Sequence, residues 1–434
     1  MINQSNVALG TTYSSKGIKL NYAIIFTISL FFLNETVRSV FSEKLGNINV
    51  LFFIFGTVFL LRSLTVKGKI RYSIFYITLS FSAVVLTNTF FLDKNASYYL
   101  MIVSNLLLPI FLLCIKVDKE QSLLALRSFL KVFNVFIAIL LVLGVIDYLS
   151  HSYVQLFLSR TLFNGLEIGT LIQWENITGI YRYYSIFGHP LMNAEYFLIF
   201  FIMNNVYAKH DKHLINGYFI SLMTILGLVL SGSKTALVLG IVLVAFFSKM
   251  KRNKWFYILL LSGAFVIFLN SSLFQDNLKL RYVQGMASGD LTTGRNELLK
   301  TLVSTDGERP QFILGGGAGN SREVAKSLNG NITNFEYPSI MLAYDYGILG
   351  FLAIYLCVFI FPAVHFIRKK SLYTLFLFLI LSLMVNTNNG IANLNSDALS
   401  VFCFMTLLLI NLDKEPVRIL EKKKRRKRIK ITWK

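Results

Sequence analysis

Val132-Phe-Asn-Val-Phe-Ile-Ala-Ile-Leu-Leu-Val-Leu-Gly-Val-Ile-Asp-Tyr-Leu149 carries one formal charge, Asp147, close to its far end. A helix with no polar face is buried in protein or in lipid. This stretch approaches the roughly 20 residues that a helix needs to cross a hydrocarbon core. Comparable apolar stretches recur at 20–33, 48–66, 72–92, 97–117 and 190–208, then at 215–230, 235–248, 255–270, 339–367, 372–385 and 398–412. The repetition predicts an all-α, polytopic integral membrane protein of about 12 transmembrane helices.

Composition agrees. The 434 residues are 55% hydrophobic and 15% charged, with a mean hydropathy of +0.59, so water is not the main solvent. The net charge of +21 does not gather on one soluble module but lies between alternate apolar stretches and in the tail. That distribution follows the positive-inside rule and points away from nucleic acid. Placing the N-terminus inside puts Arg62, Lys67, Lys69, Arg71, Lys116–Lys131, Lys209–His213, Lys249–Lys254 and Arg368–Lys370 in the cytoplasm. Both termini are then cytoplasmic. Cys114, Cys357 and Cys403 fall inside apolar stretches without metal-ligand or disulfide spacing and read as core residues. No cleavable signal pattern precedes the first stretch, which is expected to remain as a span.

The expected organisation is a cytoplasmic N-terminus (1–19), a first membrane bundle (20–149) and an extracytoplasmic loop (150–189). Membrane hairpins with an outer tip at 231–234 follow (190–270), then a large extracytoplasmic loop (271–338), the last three membrane helices (339–412) and a basic cytoplasmic tail (413–434). Segment 118–133 sets Leu126, Phe129, Leu130 and Phe133 against Lys119, Glu120, Arg127 and Lys131. It reads either as a helix on the inner leaflet or as an extension of the next span. The tail, with its basic run at 422–428, suits anionic headgroups or a purely topological role.

Chemistry has room only in the outer loops. Tyr181-Arg-Tyr-Tyr-Ser-Ile-Phe-Gly-His-Pro-Leu-Met-Asn-Ala-Glu195 sets Arg182 among aromatics and carries Glu195 into the membrane, where an ionisable group suggests function. His189 and Asn193 are four apart on one helical face and are candidate substrate contacts. Leu230-Ser-Gly-Ser-Lys-Thr235 is a tight outer hairpin with Lys234 at its tip, an anion seat at a helix start or a snorkelling lysine. In Leu291-Thr-Thr-Gly-Arg-Asn-Glu297, Arg295 offers the planar donor fork that suits a diphosphate. Leu314-Gly-Gly-Gly-Ala-Gly-Asn320 lacks the Lys-Ser/Thr ending of a phosphate loop, so it reads as a glycine loop beside a bulky ligand, with Asn320 as a contact. Glu336, just above the membrane, is the candidate base for a sugar hydroxyl or else an exposed loop acid. Asp345 lies deeper, with Gly347 and Gly350 allowing close helix approach. The last outer loop, 385–397, is dense in amides; it lines a sugar site through residues such as Asn389, or is a polar turn.

Ser231-Gly-Ser-Lys-Thr-Ala236, Thr293-Gly-Arg295, the loop 315–320 and Tyr346-Gly-Ile-Leu-Gly350 follow the order seen in the O-antigen ligase and polysaccharide polymerase family, which the chain resembles over roughly its C-terminal 60%. Arg182, Gly188 and Asn193 resemble an earlier motif of that family. The resemblance implies metal-independent, inverting glycosyl transfer without a cofactor, on the outer face of a bacterial plasma membrane. Donor and acceptor are then undecaprenyl-diphosphate oligosaccharides of a capsule, exopolysaccharide or O-antigen. Membrane lipids, a flippase and a chain-length regulator are the implied partners. Carried over by position, Arg182, Lys234 and Arg295 hold the diphosphate, and Glu336 stands where the ligases carry a histidine. The hairpin ends Ser233-Lys234 where the family has Ser-Arg, and the ligases' histidine-asparagine pair is absent. The missing histidine favours a polymerase over ligase-type transfer to another acceptor, and Lys234 neutralises a phosphate as a point charge without the bidentate fork. A flippase of lipid-linked oligosaccharides is the alternative from another class, although no internal repeat supports it.

Overall fold

A computed structural model describes residues 21–164, 166–179, 181–248, 311–328, 337–387 and 390–412, with isolated positions between 262 and 301. The described elements are helical, and a lone pairing of Ile70 with Ile115 is the one extended contact among them. In chain order they are α1 (Tyr22–Thr27), α2 (Glu35–Phe41), α3 (Glu43–Asn47), α4 (Val50–Thr65), α5 (Tyr72–Phe91), α6 (Ala96–Met101), α7 (Leu108–Leu113), α8 (Lys119–Leu149) and α9 (Tyr153–Arg160). The chain continues through α10 (Glu167–Ile177), α11 (Pro190–His210), α12 (Gly217–Ser231), α13 (Lys234–Ser248), α14 (Asn320–Leu328), α15 (Pro338–Tyr355), α16 (Phe361–Arg368), α17 (Leu372–Asn386) and α18 (Ala398–Leu412). Turns of π-helix extend α1 over Ile28–Phe32 and join α6 to α7 and α15 to α16.

Five stretches are long and apolar enough to cross a membrane: Leu45–Thr65, Tyr72–Phe91, Ala96–Leu113, Lys119–Leu149 and Pro338–Arg368. Tyr22–Phe32 and Glu35–Phe41, bent by 70°, make a sixth if they form one broken span. The sequence expectation of about 12 also counts the shorter apolar helices Gly217–Ser231, Lys234–Phe247, Leu372–Asn386 and Ala398–Leu412, together with α11 and residues 255–270. That last stretch lies largely outside the described residues, as do the N-terminal segment, most of the loop 271–338 and the basic tail. The two readings of 118–133 are now separated. It is the first half of α8, continuous to Leu149, with Ala125, Leu126, Phe129, Leu130 and Phe133 buried in the bundle. The loop 150–189 is likewise built on two helices, α9 and α10.

The burial pattern is compatible with a bundle solvated by lipid. Val135, Ile139, Val142, Ile146 and Leu149 recur at helical spacing along α8 and all face outward. Such an apolar stripe is costly against water and free of cost against hydrocarbon. Inside, Asn134 of α8 and Asn204 of α11 exchange two hydrogen bonds of 3.0 and 2.8 Å. This is the kind of polar contact that joins helices where no water is available to the amides.

The connections sort into two ends. At one, the loop end, Thr36 Oγ1 donates to Phe187 O (2.8 Å), Asn88 Nδ2 to Leu314 O (3.1 Å), and Asn105 Nδ2 to both Asn47 O (2.7 Å) and Leu394 O (2.8 Å). At the other, Arg71 donates to the carbonyls of Leu113 and Ile115 and to Asn411 Oδ1, and Lys116 N donates to Lys69 O (2.7 Å). The Lys209 ammonium stands 4.5 Å from the Tyr373 ring at that same basic end.

Candidate site at the loop end

After α10 the chain runs as an extended strap across the loop end. Tyr183 N donates to Leu230 O (3.0 Å) at the end of α12, and Tyr184 N donates to Gln155 Oε1 (2.7 Å) of α9. Asn193, on the first turn of α11, is 1% exposed. Its amide donates to Tyr183 O, and its carbonyl accepts from the Ser185 hydroxyl at 2.5 Å. Asn193, an expected substrate contact, thus holds the strap from within the protein.

Arg182 projects from this strap. Its guanidinium pairs with the buried Glu175 of α10, donates to the Tyr184 hydroxyl (3.3 Å) and lies over that ring at 5.8 Å. Its stem rests on the α12–α13 hairpin: a Cβ on Gly232 would stand 3.0 Å from Arg182 Cγ. Gly232 has φ +63, a left-handed conformation that glycine adopts without penalty, and α13 then opens with Lys234. Two of the cations expected to hold a diphosphate therefore stand on elements that touch. His189 caps α11, its Nδ1 accepting from Leu191 N (3.2 Å). Desolvation and, next, the Arg182 charge push the imidazole down to about 4, so it is neutral at pH 7.

The glycine loop docks where α15 breaks. At Gly347 the backbone turns to φ 65, ψ −175, far from helical values. In an unbroken helix the carbonyls of Tyr344 and Asp345 would accept from the N–H groups of Ile348 and Leu349. The break orphans all four groups, and the loop supplies partners. Gly316 N donates to Tyr344 O (2.8 Å) and Gly317 N to Asp345 O (2.9 Å), while Ile348 N donates to Phe312 O (2.9 Å) and Leu349 N to Ile313 O (3.4 Å). The approach excludes side chains, because a Cβ on Gly315 would fall 2.4 Å from Gly347 N. Asn320 lies with its carboxamide over Gly316. The Asp345 carboxylate accepts from Ser321 N (2.7 Å), an anion at the N-terminus of α14, as the helix dipole favours.

Beside this junction opens a cavity of about 410 Å³, within the roughly 300–1,000 Å³ range of small-molecule sites. Asn47, Asn95, Asn393 and Asn395 bring amides to its wall, Tyr98 a ring, and Arg322 and Lys326 of α14 positive charge. Lys94 pairs with Glu323 at 3.3 Å. Further along α15, Leu349, Gly350 and Ala353 face Tyr76, Ile77, Phe81 and Val84 of α5 across an apolar groove of about 360 Å³. Cavity and groove thus share one stretch of α15, from Asp345 to Ala353.

A buried ion pair ties the cavity to the strap. Arg38 of α2 meets Asp397 through Nη1–Oδ2 (2.6 Å) and Nη2–Oδ1 (3.2 Å), and it donates to the carbonyls of Leu33, Leu45 and Gly46. All five guanidinium N–H groups have acceptors. Asn49 Nδ2 also donates to Asp397 Oδ1 (3.3 Å), and Asp397 N donates to Glu35 Oε2 (3.1 Å). The amide-rich connection that lines the cavity is in this way fastened to α2, whose Thr36 holds Phe187 of the strap.

The structure therefore gathers the glycine loop, the Tyr346–Gly350 motif and part of the amide-rich loop, and separately Arg182, His189 and the Lys234 hairpin. Arg295, Glu336 and Asn389 lie outside the described residues. Sequence reading passed over Arg322 and Lys326, although their spacing of four places them on one helix face directly after the glycine loop. Comparison with protein-family models, curated proteins and solved structures finds no match to this chain.

Proposed function

We propose that this chain is a polysaccharide polymerase that joins undecaprenyl-diphosphate-linked oligosaccharide repeat units on the outer face of a bacterial plasma membrane. One observation carries the reading: a cation- and amide-lined cavity and an apolar groove flank a single helix break at Gly347. That is the shape of a site for a ligand with a glycan at one end and a hydrocarbon at the other. The positive-inside rule places the basic end in the cytoplasm and the loop end outside, where about 12 spans return both termini to the cytoplasm.

In this reading an acceptor hydroxyl attacks the anomeric carbon of the donor sugar from the face opposite the diphosphate. The carbon–oxygen bond to the diphosphate breaks, and configuration inverts. Glu336 takes the hydroxyl proton. Arg182, Lys234 and Arg295 stabilise the charge that develops on the departing polyprenyl diphosphate, an effect that grows in a site shielded from water. His189, neutral beside Arg182, is left to hydrogen-bond a sugar, and Asn320 and Asn389 supply further amides.

Variants of the purified protein test the roles. With synthetic lipid-linked repeat units, Arg295→Ala is expected to slow polymer formation by about 10²-fold, the cost of one well-placed donor, and Glu336→Gln by a similar factor. Wild-type rates in both variants would remove these residues from the chemistry. A second expectation concerns the prenyl chain, which we place in the α5–α15 groove. Ala353→Phe fills that groove and is expected to reduce turnover of a long-chain undecaprenyl donor by about tenfold, roughly what is lost when a buried apolar contact worth 1–2 kcal/mol goes, while sparing a donor with a short prenyl chain. Equal loss with both donors would place the chain elsewhere.

A further inference from the structure

We infer that the cavity between α6, α14 and the 390–397 connection is a subsite for an acidic sugar, so that the repeat unit this protein handles carries a carboxylate- or phosphate-substituted residue. The inference rests on the polymerase reading for its biological setting but on the cavity alone for its chemistry.

Three properties of the wall point there. Arg322 and Lys326 line the cavity from one face of α14, and among the described residues neither has an ion-pair partner. The nearby acid Glu323 is answered by Lys94 at 3.3 Å, and Asp345 accepts from Ser321 N. Two cations are thus left lining the cavity, and a ligand that brings one anionic group completes them. The rest of the wall mixes amides with the apolar side chains of Met101, Ala392 and Leu394. Asn95, Asn393 and Asn395 bring amides to the wall; the carbonyls of Asn95 and Asn393 already accept from Tyr98 N and Asn395 N, and the amide N–H groups suit hydroxyl oxygens. Tyr98 adds a ring beside them, a flat apolar surface of the kind a pyranose face packs against.

The same wall argues against the diphosphate headgroup as occupant. A diphosphate accepts hydrogen bonds and donates none near neutral pH, so the amide carbonyls of this wall find no donor on it. Arg182, paired with Glu175, and the Lys234 hairpin stand on other elements, where the polymerase reading puts that group. A ligand with many hydroxyls and a single negative charge uses both halves of the inventory.

The test is equilibrium binding to the full chain in nanodiscs, with trisaccharides free of lipid. Hexuronate-, sialate- and glycerophosphate-bearing members are each compared with the neutral trisaccharide of the same size. At least one acidic member is expected to bind tenfold or more tighter than its neutral counterpart at low salt, and the preference should shrink as salt screens the cations. Arg322→Gln with Lys326→Met should abolish the preference while leaving thermal unfolding unchanged, and Lys67→Ala at the basic end should leave it intact. Equal binding of neutral and acidic members, no binding by any member, or a preference that survives the double substitution overturns the inference. Inorganic pyrophosphate that displaces the acidic sugar at comparable concentration would also overturn it, by making the cavity a headgroup site.

The outcomes stay separable from those of the polymerase reading. A protein that prefers acidic glycans but forms no polymer keeps this subsite and loses that reading. One that polymerises neutral units with no preference for acidic ones does the reverse.

Discussion

Gly347→Ala is expected to undock the glycine loop and to destabilise the protein by about 3 kcal/mol or more. With φ 65 and ψ −175, Gly347 occupies backbone space that is essentially glycine's alone, and another residue there costs of order 1–3 kcal/mol. The steric term adds to this, since the new Cβ would stand 2.2 Å from Ile313 O. That carbonyl belongs to backbone paired with Leu349 N, so it cannot yield without breaking the contact. Relief requires either that the loop lift away, leaving four buried backbone groups unpaired, or that α15 straighten and take back its own hydrogen bonds. Either movement dismantles the cavity wall at Gly319 and Asp345. Gly68→Ala is the matched control. Its φ of +82 is also positive, but nothing lies within 4 Å of the added carbon, so only the cost of roughly 1–2 kcal/mol for a left-handed residue applies. Thermal unfolding in detergent, with hydrogen exchange at Gly316 and Gly317, measures the difference. Similar losses in both variants would mean that the docked loop contributes little.

Arg38→Ala is expected to cost about 3–5 kcal/mol, because removing one partner of a buried ion pair leaves the other uncompensated. The side chains of Arg38 and Asp397 are 10% and 3% exposed. Without the guanidinium, Asp397 keeps, among the described residues, only Asn49 as a side-chain donor, and the carbonyls of Leu33, Leu45 and Gly46 lose theirs. Asp397→Asn should be milder, since an amide still accepts from Arg38 while the charge is lost. Replacing both with apolar residues of similar volume, Arg38→Met with Asp397→Leu, should recover part of the loss. Chemical or thermal unfolding of the four proteins orders them. A double variant no more stable than Arg38→Ala would show that the hydrogen bonds to the loop carbonyls, not the charge pairing, set the stability of the joint.

The helices were legible because their signal is local. Every residue of 132–149 reports the same apolar environment, and the break between α12 and α13 is written in Ser231-Gly-Ser. The bend after Phe32, the continuity of α8 and the two helices within 150–189 were less so, since they depend on what packs against them. The site was legible in pieces. Glycines at 315–317 and at 347 announce tight backbone approach, yet nothing in either motif says that they approach each other; that follows from four orphaned backbone groups meeting across the helix break. Arg38 and Asp397 sit at opposite ends of the chain and have no sequence signature as a pair. Asn193 shows the opposite situation. A polar residue at an interface invites a ligand role, but here the strap that turns back over α11 claims its amide.

The most direct measurement of the polymerase reading is product length. Purified protein in liposomes is given undecaprenyl-diphosphate repeat units, and the glycan is sized on a gel. The reading predicts a ladder spaced by one repeat unit, built on a polyprenyl-diphosphate end. No ladder, with the lipid-linked unit instead carried from one leaflet to the other, would contradict it and make the chain a transporter.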